Sequence, residues 1–333
     1  MLKTKRQKFI GFLILIILCF IALIIGVSVG SVTATPFEVI KALFGIADNP
    51  IFVIIIQDVR LPRVLVAALV GITLGLAGVL LQSVMRNPMA GPSVIGVTSG
   101  SSLAAYLCII AFPFMVNFLP IATFVGGLGT TLLIYLFASR KGSTTVKIIL
   151  AGLAISSLFG AINDLIRISF PDRLEGILGF LIGSLNNVTW GSFWQILPFS
   201  LVGIICIFFL PRKLNILSLG DENAKSLGIN TERLRLGLCV LASLLASATV
   251  SIVGLIGFVG ILVPHLARIL FGSNHKHLIP ATVLIGASLL MLCDTVGRIM
   301  PVILPVGIIM PILGAPFFIS LLIKGSKTGG ANA

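Results

Sequence analysis

Long apolar runs separated by short polar turns govern this chain from end to end. They fall at about residues 9–29, 62–84, 94–113, 119–138, 147–168, 192–210, 236–272, 279–299 and 304–323. A helix needs about 20 such residues to cross a bilayer, and eight of the nine runs are near that length. The stretch 236–272 is oversized: as one helix it would reach about 55 Å, against a hydrocarbon core of about 30 Å. It must fold back on itself. Gly254, Gly257 and Gly260 mark the turn, followed by a short eighth span carrying Pro264 and His265. The pattern predicts an all-α, polytopic membrane protein of about ten transmembrane helices, forming one transmembrane domain over residues 1–333.

Composition agrees and removes the soluble classes. The 333 residues are 57% hydrophobic and 10% charged, with mean hydropathy +1.18, whereas soluble domains carry about a quarter charged residues. Ten spans use most of the chain, which leaves little for a soluble domain. Cys19, Cys108, Cys206, Cys239 and Cys293 all lie inside apolar runs and read as small core residues rather than disulfides or thiolate ligands. Lys3, Lys5, Arg6 and Lys8 before the first run resemble the start of a signal peptide. The apolar stretch is too long and lacks a small-residue cleavage site, so it reads as a retained first span.

A net charge of +13 invites a nucleic-acid reading until the charges are sorted by side. Ten spans put both termini on one face, and basic loops belong in the cytoplasm. With the N-terminus inside, seventeen Lys and Arg fall on the cytoplasmic side and six on the outer side: Lys41, Arg60, Arg63, Arg167, Arg173 and Arg298. Only Asp221, Glu222 and Glu232 of the ten acids lie inside. The excess therefore records topology: a multi-pass protein of the cytoplasmic membrane, both termini cytoplasmic, with lipid and not nucleic acid as its surroundings. A faint echo between segments 76–96 and 250–270, each a small-residue helix with a proline break, runs in opposite directions and predicts a weak inverted internal repeat.

Catalytic patterns are lacking. The sequence contains no G-x-x-x-x-G-K-[ST] loop, no metal-spaced His and carboxylate cluster and no nucleophile elbow, so we expect a transport subunit without an ATPase site of its own, and no cofactor or bound metal. His275 and His277 read as members of a solvated polar loop.

Three groups of polar residues stand out instead. In the cytoplasmic loop 211–235, Asp221 is placed as an N-cap, Glu222 and Lys225 suit the two ends of a helix dipole, and Gly228 terminates it. The helix is too short to be stable alone, so it should rest on something. It is either a capped connector or a docking element whose small residues, Ala224 and Ser226, let a partner approach. Arg60 and Arg63 of "RLPR", with Arg298, lie at the outer interface against the positive-inside bias. They are anchors paired with Asp58 and Asp294, or a basic rim for an acidic partner. Asp164 and Arg167, spaced i, i+3 in the fifth span, can meet on one helix face as a structural pair or as part of a pathway lining.

Four ordered motifs now agree. "RLPRVLVAALVGITLGLAGVLLQSVMRNPMAGPSVIGVTSGSSLAA" (60–105), "SLGDENAKSLGI" (218–229), "GLIGFVGILVPHLARILFG" (254–272) and "LPVGIIMPILGAPFFISLLIK" (304–324) resemble the FecCD family. Its members are permease subunits of ABC importers for iron-siderophore complexes, haem and vitamin B12. The resemblance implies a type II ABC importer permease fold and a dimer with a second copy or a paralogue. It also implies a translocation path along the dimer interface lined by the fifth span, two cytoplasmic ATPase subunits docked on loop 211–235, and an extracytoplasmic substrate-binding protein on the outer rim. By position, Arg60, Arg63 and Arg298 match the binding-protein contacts. Asp221, Glu222, Ala224, Leu227 and Gly228 match the ATPase-coupling element, and the loop 142–146 matches a cytoplasmic gate, with Thr144 and Thr145 as candidates. The segment "NPMAGP" (87–92) departs from the family pattern at Met89 and Gly91, which should alter packing and not class.

The expected function is import of an iron(III)-siderophore across the cytoplasmic membrane, driven by ATP hydrolysed in partner subunits. Haem or vitamin B12 import by the same architecture is the alternative. An ion-coupled secondary transporter is a more distant one, since its ion ligands belong at mid-membrane and the ionisable residues here sit mainly near the span ends.

Overall fold

The computed structural model describes residues 2, 4–30, 36–47, 49–139 and 144–329. Lys3, Asp48, Arg140, Lys141 and the first two residues of the gate loop 142–146 lie outside the described residues. Every regular element among those described is helical.

α1 (Lys5–Ser28) opens with a capping box in which Thr4 and Gln7 satisfy each other's backbone N–H. Two short helices follow, α2 (Pro36–Leu43) and α3 (Pro50–Ile54), the latter running through a π-helical turn at Ile55–Arg60 into α4 (Leu61–Met85). Next come α5 (Val97–Tyr106), α6 (Leu119–Ser139), α7 (Thr145–Ser169), α8 (Glu175–Ile182) and α9 (Trp190–Phe208). The loop 211–235 folds as α10 (Pro211–Ser218) and α11 (Asp221–Ser226), and α12 (Thr231–Val253), α13 (Val259–Phe271), α14 (His275–Ile299) and α15 (Val306–Gly329) complete the bundle. Among the described residues seven helices are long and apolar enough to cross a membrane, and shorter apolar helices at Val97–Ala111, Val259–Phe271 and Val306–Pro316 occupy the other three expected positions. The oversized run breaks where the sequence placed the turn: Gly254, at φ +75°, ends α12 in a left-handed geometry that a side chain would strain.

α4 is the axis of the fold, with 78% of its most apolar window buried, against 22% for α1 and 17% for α7. It touches α13 and α14 backbone to backbone. A Cβ at Gly78 would stand 1.8 Å from the Gly260 carbonyl oxygen, and one at Gly71 would stand 2.0 Å from that of Gly286. Without a hydrophobic drive between helices in lipid, such close contact through small residues is a main source of cohesion. Buried hydroxyls add to it: Thr73 of α4 and Thr249 of α12 lie 2.8 Å apart.

Two expectations fail for a tertiary reason. His275 is no loop residue. It opens α14, is buried, and places its ring nitrogens 2.8 Å from Ser83 Oγ and 2.7 Å from Asn215 Oδ1. This ties α14 to α4 and to α10, which the sequence reading left inside an undivided loop. Cys206 is exposed on α9 while Cys108, Cys239 and Cys293 are buried, because α9 turns much of its surface out of the bundle.

Candidate functional site

Where α1 ends and α4 begins, two arginines converge on one carboxylate and a third lies beside them on backbone carbonyls. The π-turn before α4 sets Arg60 and Arg63 one turn apart, beside the C-terminus of α1 and the last turn of α14. Asp294 receives Arg63 in a bidentate grip, with Nε at 2.9 Å and Nη2 at 2.8 Å, and Arg298 Nε approaches it to 3.1 Å. Arg63 Nη2 also donates to Asn186 Oδ1 at 2.9 Å. The terminal carbonyls of a helix lack intrahelical partners and carry partial negative charge, and here guanidinium groups satisfy them. Arg60 Nη1 donates to the carbonyls of Val27 and Ser28 at 3.2 and 2.8 Å, and Arg298 donates to those of Val29 and Gly26 at 2.9 and 2.8 Å.

The arrangement is more inward than a projecting basic rim. Arg60 is 4% exposed, and the side chains of Arg63 and Arg298 are 12% and 8% exposed. Two guanidinium groups, those of Arg63 and Arg298, share the Asp294 carboxylate, with Arg60 held beside them on the carbonyls that end α1. Asp58, weighed as a partner, is exposed and belongs to none of the ion pairs among the described residues, whereas Asp294 pairs with both Arg63 and Arg298. Asn186 gave no sequence signal, since it reaches the cluster from a loop 123 positions away.

The opposite end holds α11, a helix of six residues. Gly220, at φ +110°, occupies the cap position, one residue earlier than the sequence placed it, and Asp221 is the first helical residue. Its carboxylate is engaged elsewhere: Oδ1 lies 2.5 Å from Arg235 Nη2 and 3.7 Å from Arg86 Nη2. Arg235 is almost wholly buried in the first turns of α12. Arg86 ends α4 in a left-handed conformation at φ 49°, which turns it toward α11. Asp221 therefore fastens α11 to two spanning helices. Ala224 is fully buried beneath the helix, so its small size lets α11 lie close on its own chain and does not admit a partner. Glu222 and Leu227 are exposed, as is Gly228 at φ +79° with open space around its Cα.

The third group lies along α7. Thr144 caps the helix, accepting from Lys147 N at 3.4 Å, and Thr145 donates to the Val84 carbonyl at 3.4 Å near the end of α4. Asp164 and Arg167 pair at 3.5 Å, as their spacing predicts, and remain 67% and 48% exposed. Arg167 also reaches the Tyr106 hydroxyl and lies over its ring at 5.2 Å. An ion pair this exposed at membrane depth is unsuited to lipid.

The whole chain is similar to known proteins. Residues 14–324 match the model of the FecCD transport family. The chain is 38% identical over 324 residues to the Fe(3+)-citrate import system permease protein YfmE of Bacillus subtilis (strain 168), across 96% of this chain and 97% of that protein. It is 36% identical over 270 residues to the cobalamin import system permease protein BtuC of Halobacterium salinarum, across 81% and 73%. A solved inward-facing structure, of a transporter assigned to the metal-chelate type of ABC transporter, superposes with a TM-score of 0.85 at 34% identity. The match covers 94% of this chain and 98% of that one. A match that runs from the first span into the last, carrying both the arginine cluster and the tethered α11 with it, shows that the chain belongs to the FecCD transport family.

Proposed function

We propose that this chain is the transmembrane permease subunit of an ABC importer that carries an iron(III)-siderophore across the cytoplasmic membrane, with ATP hydrolysed by separate subunits. The observation that carries the reading is the tethering of α11. A helix of six residues has no stability of its own in water, yet Asp221 locks it to Arg235 of α12 and Arg86 at the end of α4. A force applied to exposed Glu222 and Leu227 would pass directly into two spanning helices. That is what a coupling element for a cytoplasmic ATPase requires.

At the other end, the basic side chains of Arg60, Arg63 and Arg298 suit the acidic surface of an extracytoplasmic binding protein. The exposed face of α7, with Asp164 and Arg167, suits a second permease copy or paralogue and a polar path between the two. Thr144 and Thr145 stand at the cytoplasmic start of that face, where a gate belongs. Both termini then lie in the cytoplasm, as the basic residues require. Haem or cobalamin import uses the same architecture, and the cobalamin relative keeps that reading open. Co-purification with an ATPase subunit tests the mechanism: association lost on replacing residues 221–228 by a Gly/Ser linker supports it. A stable, functional transporter driven by an ion gradient without any ATPase would overturn it.

A further inference from the structure

On the cytoplasmic side, away from α11 and the α7 face, the N-terminal turns of α1 and α14 enclose a cleft of about 480 Å³ lined by Lys5, Lys8, Phe9, Phe12, Lys276 and His277. The α1 contribution follows one helix face, since positions 5, 8, 9 and 12 are spaced i, i+3, i+4, i+7. Charge occupies the first turn of that face and aromatic rings the next. From Lys8 to Phe12 the helix descends about 6 Å, so cationic groups sit at headgroup level and rings at the level of the first acyl carbons.

The walls are fixed before any ligand arrives. Thr4 and Gln7 cap α1, the backbone N–H of Leu2 donates to the Leu270 carbonyl at 2.8 Å, and Phe12 packs on Phe271 with ring centroids 4.4 Å apart. Lys276 stands in the first turn of α14, whose N-cap is Asn274, where the helix dipole adds partial positive charge. No carboxylate lines the cleft, and none of the ion pairs among the described residues engages its lysines. Above it α1 turns Phe9, Leu13, Ile17 and Phe20 outward, all exposed, so the cleft opens onto the surface that lipid covers.

We infer that this cleft is a binding site for an anionic phospholipid, with Lys5, Lys8 and Lys276 holding the phosphodiester and Phe9 and Phe12 receiving the upper acyl chain. Basic pockets between spanning helices recognise anionic headgroups in this way, each lysine strengthening binding about fivefold. The leaflet, though not the site, rests on the orientation proposed above. Bound lipid would staple the peripheral α1 to α14, the helix that supplies Asp294 and Arg298 to the outer cluster.

The test is native mass spectrometry of the detergent-solubilised full chain, incubated with phosphatidylglycerol or phosphatidylcholine. Wild type should keep one phosphatidylglycerol in preference to phosphatidylcholine. K8Q/K276Q should lose it by more than about tenfold, while R212Q/K213Q, which removes equal charge from α10, should keep it. Equal retention of the two lipids, no retention of either, or equal loss in both variants would overturn the site. Reporter fusions read the topology separately: an outside N-terminus with retention intact would move the site to the other leaflet and leave the lipid assignment standing.

Discussion

Replacing Asp294 by Asn removes one charge without changing the shape of the outer cluster. Asp294 is 2% exposed, and its partners Arg63 and Arg298 are 12% and 8% exposed, so solvent offers little compensation. Removing one member of a buried ion pair costs about 3–5 kcal/mol, because the remaining charge stays out of water. Both guanidinium groups keep other acceptors, Arg298 at the carbonyls of Val29 and Gly26 and Arg63 at Asn186. Bonds to a charged group contribute about 1.5–3 kcal/mol each, which brings the expected loss for D294N to the lower end, about 3 kcal/mol. Unfolding in mixed micelles titrated with sodium dodecyl sulfate reads the change directly. The double variant R63Q/D294N should be more stable than D294N, since one of the two stranded cations has gone with its partner and Arg298 keeps the carbonyls of Val29 and Gly26. A D294N variant within about 0.5 kcal/mol of wild type, or a double variant whose losses simply add, would refute the view that Asp294 is the electrostatic hub of the outer end.

Four further outcomes follow from the geometry. G78A forces α4 and α13 apart, because the added methyl would stand 1.8 Å from the Gly260 oxygen, and should destabilise by about 3 kcal/mol or more. G237A, where nothing lies within 4 Å, should be neutral or slightly stabilising in the same unfolding assay. D221N weakens the hold of Arg235 and Arg86 on α11, so in reconstituted vesicles ATP hydrolysis should continue while uptake per ATP falls; an unchanged ratio would count against the tether. R63E should slow association with the binding protein and flatten its salt dependence, as followed by surface plasmon resonance, whereas unchanged association at low salt would remove Arg63 from the contact.

The spans were legible because lipid imposes a length and a polarity that one sequence must display. The fold-back within 236–272 was legible for the same reason, as a largely apolar run of 37 residues exceeds any single crossing and Gly254 supplies the needed φ. The Asp164–Arg167 pair follows from helical spacing alone. What resisted reading was whatever depends on distant partners. The pairing of Arg63 with Asp294, 231 positions apart, was one of the readings the sequence allowed, whereas no local pattern announces the meeting of His275 with Ser83 across 192. Arg235 looked like one more cytoplasmic charge, yet it is buried beneath α11, and the same packing explains why Ala224 faces inward. Arg60 illustrates a subtler limit: the positive-inside bias singled it out in the sequence, but it donates to the carbonyls ending α1, groups that every sequence contains and none distinguishes.

ATP-driven passage of an iron(III) chelate through this chain is tested most directly by uptake of iron-55, as its ferric siderophore or ferric citrate complex, into vesicles holding the permease with its ATPase, the binding protein being added outside. Uptake should require both ATP hydrolysis and the binding protein and should persist when ion gradients are collapsed by ionophores. Uptake that is indifferent to ATP and abolished by the ionophores would contradict ATP-driven import.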